Sequence, residues 1–333
     1  MAKFESLDPE IRGVLGKKVS ELGLKLEGSP VERYVRELYR ELGRRGLKKF
    51  RPVCYLTDEW GCPDQQPVLG IPFYLADPKL RSLEHAVDAL ESEAQIMKYM
   101  RHEAGHVFNY AYRLYVTPEW RQLFGPFFRA YRDAYRPVPF STNFVTHIEG
   151  WYAQKHPDED FAETFAVWLT PRSDWRRRYK GWPALRKLRY VERIARQLAD
   201  VDPVVTVGEV DITPDDIGVT VQQFYEAAAQ ERQARIDIAL DAHLGQIFFT
   251  RKRADSRPAA DIVRQYTRVL VEKVTYWTGV KRAIIRGLID NVCHTCERMK
   301  LRGERGEEPK YLVEVTALTT TLAMNFLTRG RFE

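Results

Sequence analysis

Apolar side chains that recur at steps of three and four residues are the feature that most constrains the fold, because they require a long helix with one face in a core. They occupy residues 92–115, at the spacing of a single helix face. Ser92 and Gln95 have the spacing of a capping box, which places the start of the helix. The face consists of Ile96, Met100, Ala104, Val107, Ala111 and Leu114. We predict a helix that packs this face on the rest of the protein.

The same helix contains the sequence His102-Glu103-Ala104-Gly105-His106, which is an H-E-x-x-H motif. Side chains four residues apart lie on one helix face about one turn apart, so both imidazoles can reach one metal ion. Glu103 lies between them and can contact a water molecule bound to that ion. The alternative is a surface helix with two solvated histidines. The apolar face runs on the side away from the histidines, so we expect the histidine face to line a cleft.

A zinc site of this kind needs a third protein ligand and keeps one coordination position for water. A metzincin would continue with a glycine and a histidine at the positions that hold Asn109 and Tyr112 here, so that class is excluded. The best remaining candidates lie in residues 156–165, where Glu159 and Glu163 share a helix face. One would bind the metal and the other would hydrogen-bond a ligand histidine. The alternative is an acidic first turn that complements the helix dipole.

The motif and its downstream acids resemble a known group. HEAGH followed by EDFAETF is similar to the gluzincin metallopeptidases, in which a glutamate on a later helix completes a two-histidine site. The chain resembles the bacterial family described as putative zinc-binding metallopeptidases and, more distantly, the peptidase domain of anthrax lethal factor. The resemblance covers about residues 50–200. It implies a zincin-like fold, one zinc ion and an endopeptidase acting on proteins or peptides, with Glu103 as the general base.

The resemblance also assigns roles to individual residues. In such enzymes the ligand is the glutamate of an E-x-F-A pattern, which implies that Glu159 binds the metal and that Glu163 supports a ligand histidine. Lethal-factor-like enzymes have a tyrosine shortly before this glutamate that faces the metal, and Tyr152 precedes Glu159 by seven residues. Its phenol would stabilise an oxyanion or protonate the leaving amine. The alternatives are an ordinary core aromatic at Tyr152, or the same role carried by His147 or His156.

Most of the remaining chain has a helical pattern, with one small sheet. Residues 51–57 and 69–75 are short, aromatic and β-branched, and they predict two strands, the second a candidate edge for an extended substrate. Residues 199–217 interrupt the helical pattern with Pro, Gly and Asp, which predicts a domain boundary or a long connector. We expect an α+β, mostly α, zincin-like metallopeptidase domain over 1–205. An all-helical C-terminal domain of unassigned role would follow over 212–333.

Composition excludes several classes of protein. The chain has 333 residues and is 44% apolar, which is too apolar for a disordered chain and enough for one large or two ordinary cores. No apolar run spans a bilayer, and residues 1–20 lack a signal-peptide core, so we expect a cytoplasmic protein without membrane insertion. The four cysteines do not make a disulfide scaffold. Cys293 and Cys296 form a C-x-x-C that we interpret as two core thiols, with a redox or zinc role as the alternative.

The charge is mildly basic, with a net charge of +6. Basic residues cluster at 44–51, 176–178 and 251–253. We interpret these clusters as solvated surface, because no nucleic-acid-binding motif accompanies them. Two alternatives to a constitutive peptidase follow. One is a metal-containing binding or regulatory module that acts on nucleic acid or a protein partner. The other is a latent peptidase, specific for one protein and held inactive by its C-terminal domain.

Overall fold

Helices dominate the fold, and each of its two sheets has only two strands. The structure is a computed structural model that describes residues 7–87, 90–131, 135, 137–234, 240–280, 282–329 and 332. It confirms the predicted mostly helical α+β class. Residue contacts divide the chain into two units, 1–224 and 225–333. No helix in the described ranges combines the length and the apolarity that a membrane crossing requires.

The first unit contains eight of the described helices and one parallel pair of strands. The helices are α1 (Pro9–Leu15), α2 (Glu32–Arg44), α3 (Pro78–Val87), α4 (Glu93–Ala111), α5 (Pro118–Phe124), α6 (Pro157–Leu169), α7 (Trp175–Arg178) and α8 (Ala184–Gln197). The strands are β1 (Val53–Thr57) and β2 (Val68–Pro72). A further helix, α9 (Val221–Ala234), contains the point at which the two units divide.

The second unit has its own apolar core, which includes Ile285, Leu288 and Val292. Its other helices are α10 (Asp241–Ile247), α11 (Ala259–Thr278), α12 (Arg282–Arg298) and α13 (Glu308–Arg329). The expectation that this part is all-helical is wrong in one detail. β3 (Ser256–Pro258) pairs antiparallel with β4 (Arg302–Glu304). These strands have three residues each, which is too short for an alternating pattern to be recognised in the sequence.

Helices α4 and α6 form the centre of the first unit. The capping box at Ser92 is present, with the side chains of Ser92 and Gln95 bonded to each other's backbone N–H groups. Every residue of α6 is buried, as is every residue of α4 from His102 to Ala111. The expectation that the histidine face of α4 lines an open cleft is therefore wrong, because α6 and the segments around it cover that face as well.

The two helices cross closely at Gly105. A Cβ atom added there would lie 2.8 Å from the Cα and 3.0 Å from the carbonyl oxygen of Ala162. Beyond this crossing, the rings of Phe108 and Phe165 stack with centroids 5.0 Å apart. Glycine is a poor helix former, so its place in the middle of α4 is explained by the space that α6 occupies. The crossing sets Glu159, about one turn before Ala162, beside the histidines of α4.

Strand β2 has little room for a substrate strand. β1 pairs with it in parallel, with Tyr55 opposite Gly70. The N–H of Gly70 donates to the carbonyl oxygen of Gly61 at 2.8 Å, outside the β1–β2 ladder. The chain then turns into a 3₁₀ helix over Phe73–Ala76. The candidate substrate edge is thus already paired at Gly70 and ends as a strand at Pro72.

The segment predicted as a connector follows the surface of the first unit. The N–H of Val205 donates to the carbonyl oxygen of Ala111 at 2.9 Å, and the hydroxyl of Tyr55 donates to Asp211 at 2.6 Å. The segment lacks α-helix throughout 199–217 and contains one 3₁₀ turn, Pro214–Asp216. The domain limits of 1–205 and 212–333 remain a prediction, while the contacts place the division of the chain at 224.

The crossing predicts opposite effects for the same substitution at two helical glycines. Gly105→Ala should lower the free energy of unfolding by about 1–3 kcal/mol, because its methyl group overpacks the contact with α6. Gly43→Ala in α2 has open space around it and should raise that free energy by about 0.5–1 kcal/mol. Urea unfolding followed by tryptophan fluorescence measures both, since Trp277 is the only tryptophan outside the first unit. Equal shifts for the two variants would refute the close-crossing explanation.

Candidate metal centre

Three ligand-type atoms converge between α4 and α6. Nε2 of His102 and Nε2 of His106 are 3.2 Å apart. Oε2 of Glu159 lies 2.9 Å from the first nitrogen and 3.3 Å from the second. All three residues are buried. The fold therefore brings together the two histidines of the motif and the glutamate that the family resemblance selected.

The opposite ring nitrogens fix how the imidazoles are oriented. Nδ1 of His102 lies 2.9 Å from Oε1 of Glu163, and Nδ1 of His106 lies 2.7 Å from Oδ2 of Asp158. An ionised carboxylate only accepts hydrogen bonds, so each Nδ1 carries a hydrogen. A neutral imidazole then directs the lone pair of its Nε2 at the other histidine and at Glu159. Two lone pairs and a carboxylate oxygen at this separation repel one another unless a cation lies among them.

The donor atoms fit zinc. Tetrahedral zinc with bonds of about 2.0–2.2 Å to nitrogen and oxygen places its ligand atoms about 3.3 Å apart. The distances of 2.9, 3.2 and 3.3 Å are close to that value. Among the described residues, these three form the one group of His, Cys, Asp and Glu side chains with converging donor atoms. Three protein ligands leave one position for water, which is the arrangement of catalytic zinc sites.

Each supporting carboxylate is itself held in place. Glu163 accepts hydrogen bonds from the backbone N–H groups of His147 and Ile148 at 2.9 Å. Asp158 accepts one from Nδ2 of Asn109 at 2.7 Å and one from the hydroxyl of Tyr110. Such partners orient metal-binding histidines and increase their basicity.

The sequence analysis predicted Glu163 in this supporting position and missed the others. Asp158 belongs to the acidic first turn of α6, and an interaction of that turn with the helix dipole assigns Asp158 no role at the histidines. Asn109 and Tyr110 follow His106 by three and four residues. A spacing of three or four residues on one helix face was therefore the only available signal for them.

The pKa values show that the cluster favours the protonated, positively charged form of its two histidines and the ionised form of Glu159. Burial lowers the pKa of His102, but its bonds to Glu159 and Glu163 outweigh burial and raise that pKa to about 9. Burial likewise opposes the charged form of His106, while Asp158 and Glu159 raise its pKa well above the usual value. Burial raises the pKa of Glu159, yet the two histidines bring it well below the usual value. When no metal cation is bound, protons on the imidazoles therefore balance the negative charge of the carboxylates.

Glu103 is buried beside the cluster. Burial raises the pKa of its carboxyl, and the nearby histidines, His102 and His106, offset only part of that rise. No hydrogen bond joins its carboxylate to another residue in the part of the chain that the structure describes. The group thus keeps its acceptor atoms unused at a place where its proton affinity is increased.

Two tyrosines reach the cluster from outside the two helices. The ring of Tyr152 has its centroid 5.6 Å from that of His102, so the structure places it beside one of the two motif histidines. The hydroxyl of Tyr131 donates to Oε1 of Glu159 and lies 3.5 Å from the hydroxyl of Tyr152. Burial raises the pKa of both phenols, so both remain protonated donors. Tyr131 lies in no motif, and the sequence analysis missed it.

The other candidate residues lie outside the group of converging atoms. Nε2 of His147 is 3.0 Å from the carbonyl oxygen of Lys98, and burial lowers the pKa of His147 to about 3. Nε2 of His156 is 2.9 Å from the carbonyl oxygen of Arg129, and its Nδ1 accepts the N–H of Asp158 at the start of α6. Both histidines therefore hold backbone in place. Cys293 and Cys296 are buried in α12 as free thiols.

Comparison with known proteins supports the metal-site interpretation. Residues 69–175 match the model of a family described as "Putative zinc-binding metallo-peptidase". The matched segment contains His102, His106, the three glutamates Glu103, Glu159 and Glu163, and Tyr152, and it confirms the resemblance to that family. No curated protein and no solved structure matches the chain. The similarity to anthrax lethal factor is therefore not supported by a match.

The raised histidine pKa values predict that zinc binding releases protons. A group whose pKa is about 9 is protonated at neutral pH, and the metal must displace that proton from Nε2. Zinc affinity should rise about tenfold per pH unit for each proton released, until the pH reaches the raised pKa. Titration calorimetry in two buffers of different ionisation enthalpy counts the protons. Identical binding enthalpies in both buffers would contradict the expected charge state.

Proposed function

We propose that this protein is a zinc-dependent endopeptidase in which His102, His106 and Glu159 hold a single zinc ion. The observation that carries the proposal is the convergence of three donor atoms within 3.3 Å of one another. Each imidazole is also fixed from behind by a carboxylate. The family match over residues 69–175 supports a peptidase acting on proteins or peptides.

The chemistry divides between the metal and the chain. Zinc bound here would lower the pKa of a bound water and polarise the scissile carbonyl group. Glu103 takes the proton of the attacking water and passes it to the leaving nitrogen. Its raised pKa and its unused acceptor atoms suit that transfer. Tyr152 donates its phenol hydrogen to the developing oxyanion, since its ring lies beside His102 and its hydroxyl stays protonated.

Tyr131 has a different role in this proposal. Its hydroxyl donates a hydrogen bond to Oε1 of Glu159, while Oε2 of that carboxylate faces the two histidines. The bond keeps the carboxylate from turning and leaves one oxygen for the metal. Tyr131 is therefore a positioning residue, which acts on the site through Glu159.

A second candidate is a latent peptidase. The observation that favours it is the burial of His102, Glu103 and His106, whose exposed fractions are 2%, 7% and 6%. A substrate needs more access than these values give, so a rearrangement would have to precede cleavage. Cleavage of unfolded protein by the purified full-length chain, without a lag, would contradict latency. A purely structural zinc site is less well supported, because such sites have four protein ligands.

Replacement of the proposed base separates catalysis from metal binding. Glu103→Gln should keep the zinc content and lower the rate of peptide cleavage by at least about 10²-fold, because the amide cannot accept the proton. Glu93→Gln is the matched control, since it removes an exposed acid from the same helix. Metal analysis and cleavage of a quenched fluorescent peptide library measure the two properties. Full activity in Glu103→Gln would refute the proposed mechanism.

The two phenols should give different defects. Tyr152→Phe should lower kcat by about 10²–10³-fold with little change in zinc affinity, because it removes a donor to the oxyanion. Tyr131→Phe should weaken zinc binding by about 10–100-fold, because it frees Glu159 to turn. Competition with a chromogenic chelator gives the affinity, and steady-state kinetics give kcat. If Tyr131→Phe leaves zinc affinity unchanged, it does not position Glu159.

A further inference from the structure

An arginine-rich cavity lies at the C-terminal ends of α2 and α6, away from the metal centre. Its volume is about 230 Å³. It is lined by Glu41, Arg44, Arg45, Leu169, Pro171 and Arg172. Leu169 follows Glu159 by ten residues on α6, which corresponds to about 15 Å along the helix. The cavity therefore belongs to neither the proposed metal site nor the proposed chemistry.

Positive charge exceeds negative charge around the cavity. Arg101 donates from Nε and Nη2 to the two oxygens of Glu41, each at 2.7 Å, so the one acidic lining residue is already neutralised. Arg44 is exposed and has a half-buried partner, Glu37, at 3.4 Å. Arg172 forms no ion pair with any residue that the structure describes. Arg45 and Arg172 thus contribute guanidinium groups that form no ion pair with a described carboxylate.

Arg45 is the least satisfied of these groups. It is half-buried, with its guanidinium stacked over the ring of Trp168 at 5.1 Å. Within the described residues its guanidinium makes one hydrogen bond, a long one of 3.4 Å from Nη2 to the carbonyl oxygen of Thr170. Burial and the nearby Arg176 lower its pKa, although Glu192 and Glu41 oppose this. A half-buried cation with unused N–H groups is costly unless an anion accepts them.

Helix dipoles do not account for this cluster. The C-terminal ends of α2 and α6 each carry about −0.5 elementary charge, which favours nearby cations. Together the two helix ends supply about one negative charge, which balances the positive charge of about one arginine. Arg172 also has a φ of 54°, a left-handed conformation that is unfavourable for a non-glycine residue. The dipole at the end of α6 does not require this left-handed conformation. Arg172 adopts it at a position that lines the cavity.

We propose that this cavity binds the phosphate group of a small soluble compound such as inorganic phosphate or pyrophosphate. Guanidinium groups match tetrahedral oxyanions with paired hydrogen bonds. The volume is below the range of roughly 300–1,000 Å³ typical of pockets for drug-sized ligands, so it suits a phosphate or a pyrophosphate. Arg45, Arg172 and Arg44 supply the donors, and Glu41 stays bonded to Arg101.

Titration calorimetry of the full-length protein with inorganic phosphate and with pyrophosphate at low salt tests the proposal. Saturable binding is expected for the parent protein. Arg45→Gln and Arg172→Gln should each weaken it by at least about tenfold, because each removes a charged hydrogen-bond donor. Arg177→Gln is the matched control, since it removes the same charge from an exposed residue that does not line the cavity. It should change the affinity less than about twofold.

Three outcomes would overturn the proposal. One is a parent protein that binds neither compound. Another is equal weakening in Arg177→Gln and Arg172→Gln, which would indicate diffuse attraction to a basic surface. The third is unchanged binding in both cavity variants, which would place the phosphate elsewhere, for example at the metal centre. Arg172 is exposed, so its variant remains informative even if Arg45→Gln fails to fold.

Discussion

Contact between the backbones of α4 and α6 is the constraint on which the candidate metal centre depends. The two histidines lie on α4 and the glutamate on α6, so their donor atoms converge only if the helices cross without side chains between them. Gly105 and Ala162 make that approach possible, since even one added methyl group would lie 2.8 Å from the Cα of Ala162. The glycine inside the H-E-x-x-H motif thus serves packing, while its neighbours Glu103 and His106 serve the proposed chemistry.

The crossing also brings several carboxylates together in the buried space between α4 and α6. Glu103, Asp158, Glu159 and Glu163 are all less than a tenth exposed, and isolated buried carboxylates are strongly unfavourable. Hydrogen-bond donors satisfy two of them, since Glu163 accepts backbone N–H groups and Asp158 accepts side-chain donors. Glu103, Glu159 and the two facing imidazole nitrogens remain. A divalent cation there would balance this charge, so metal binding and folding of this region are expected to be linked.

The sequence predicted what depends on local spacing. The capping box, the long helix, the histidine pair and the start of α6 follow from residues close together in the chain. Glu159 could not be separated from Glu163 by spacing alone, and the family resemblance made that distinction. Tyr131 could not be predicted, because its contact with Glu159 joins residues 28 positions apart in the chain and no local spacing connects them. The expectation that the histidine face of α4 lines an open cleft was wrong, because an amphipathic pattern does not show which other segments cover the polar side of a helix.

The arginine-rich cavity illustrates the same limit and links back to the metal centre. Basic residues near 44 and near 176 were interpreted as separate solvated clusters, yet the fold places Arg45 within the electrostatic influence of Arg176. Acidic residues occupy the first turn of α6 and basic residues surround its C-terminal end, so both groups complement one helix dipole. Arg101 directly precedes His102, and its partner Glu41 lines the cavity. The ion pair of Arg101 and Glu41 therefore connects the lining of the proposed phosphate site to the helix that carries the first proposed zinc ligand.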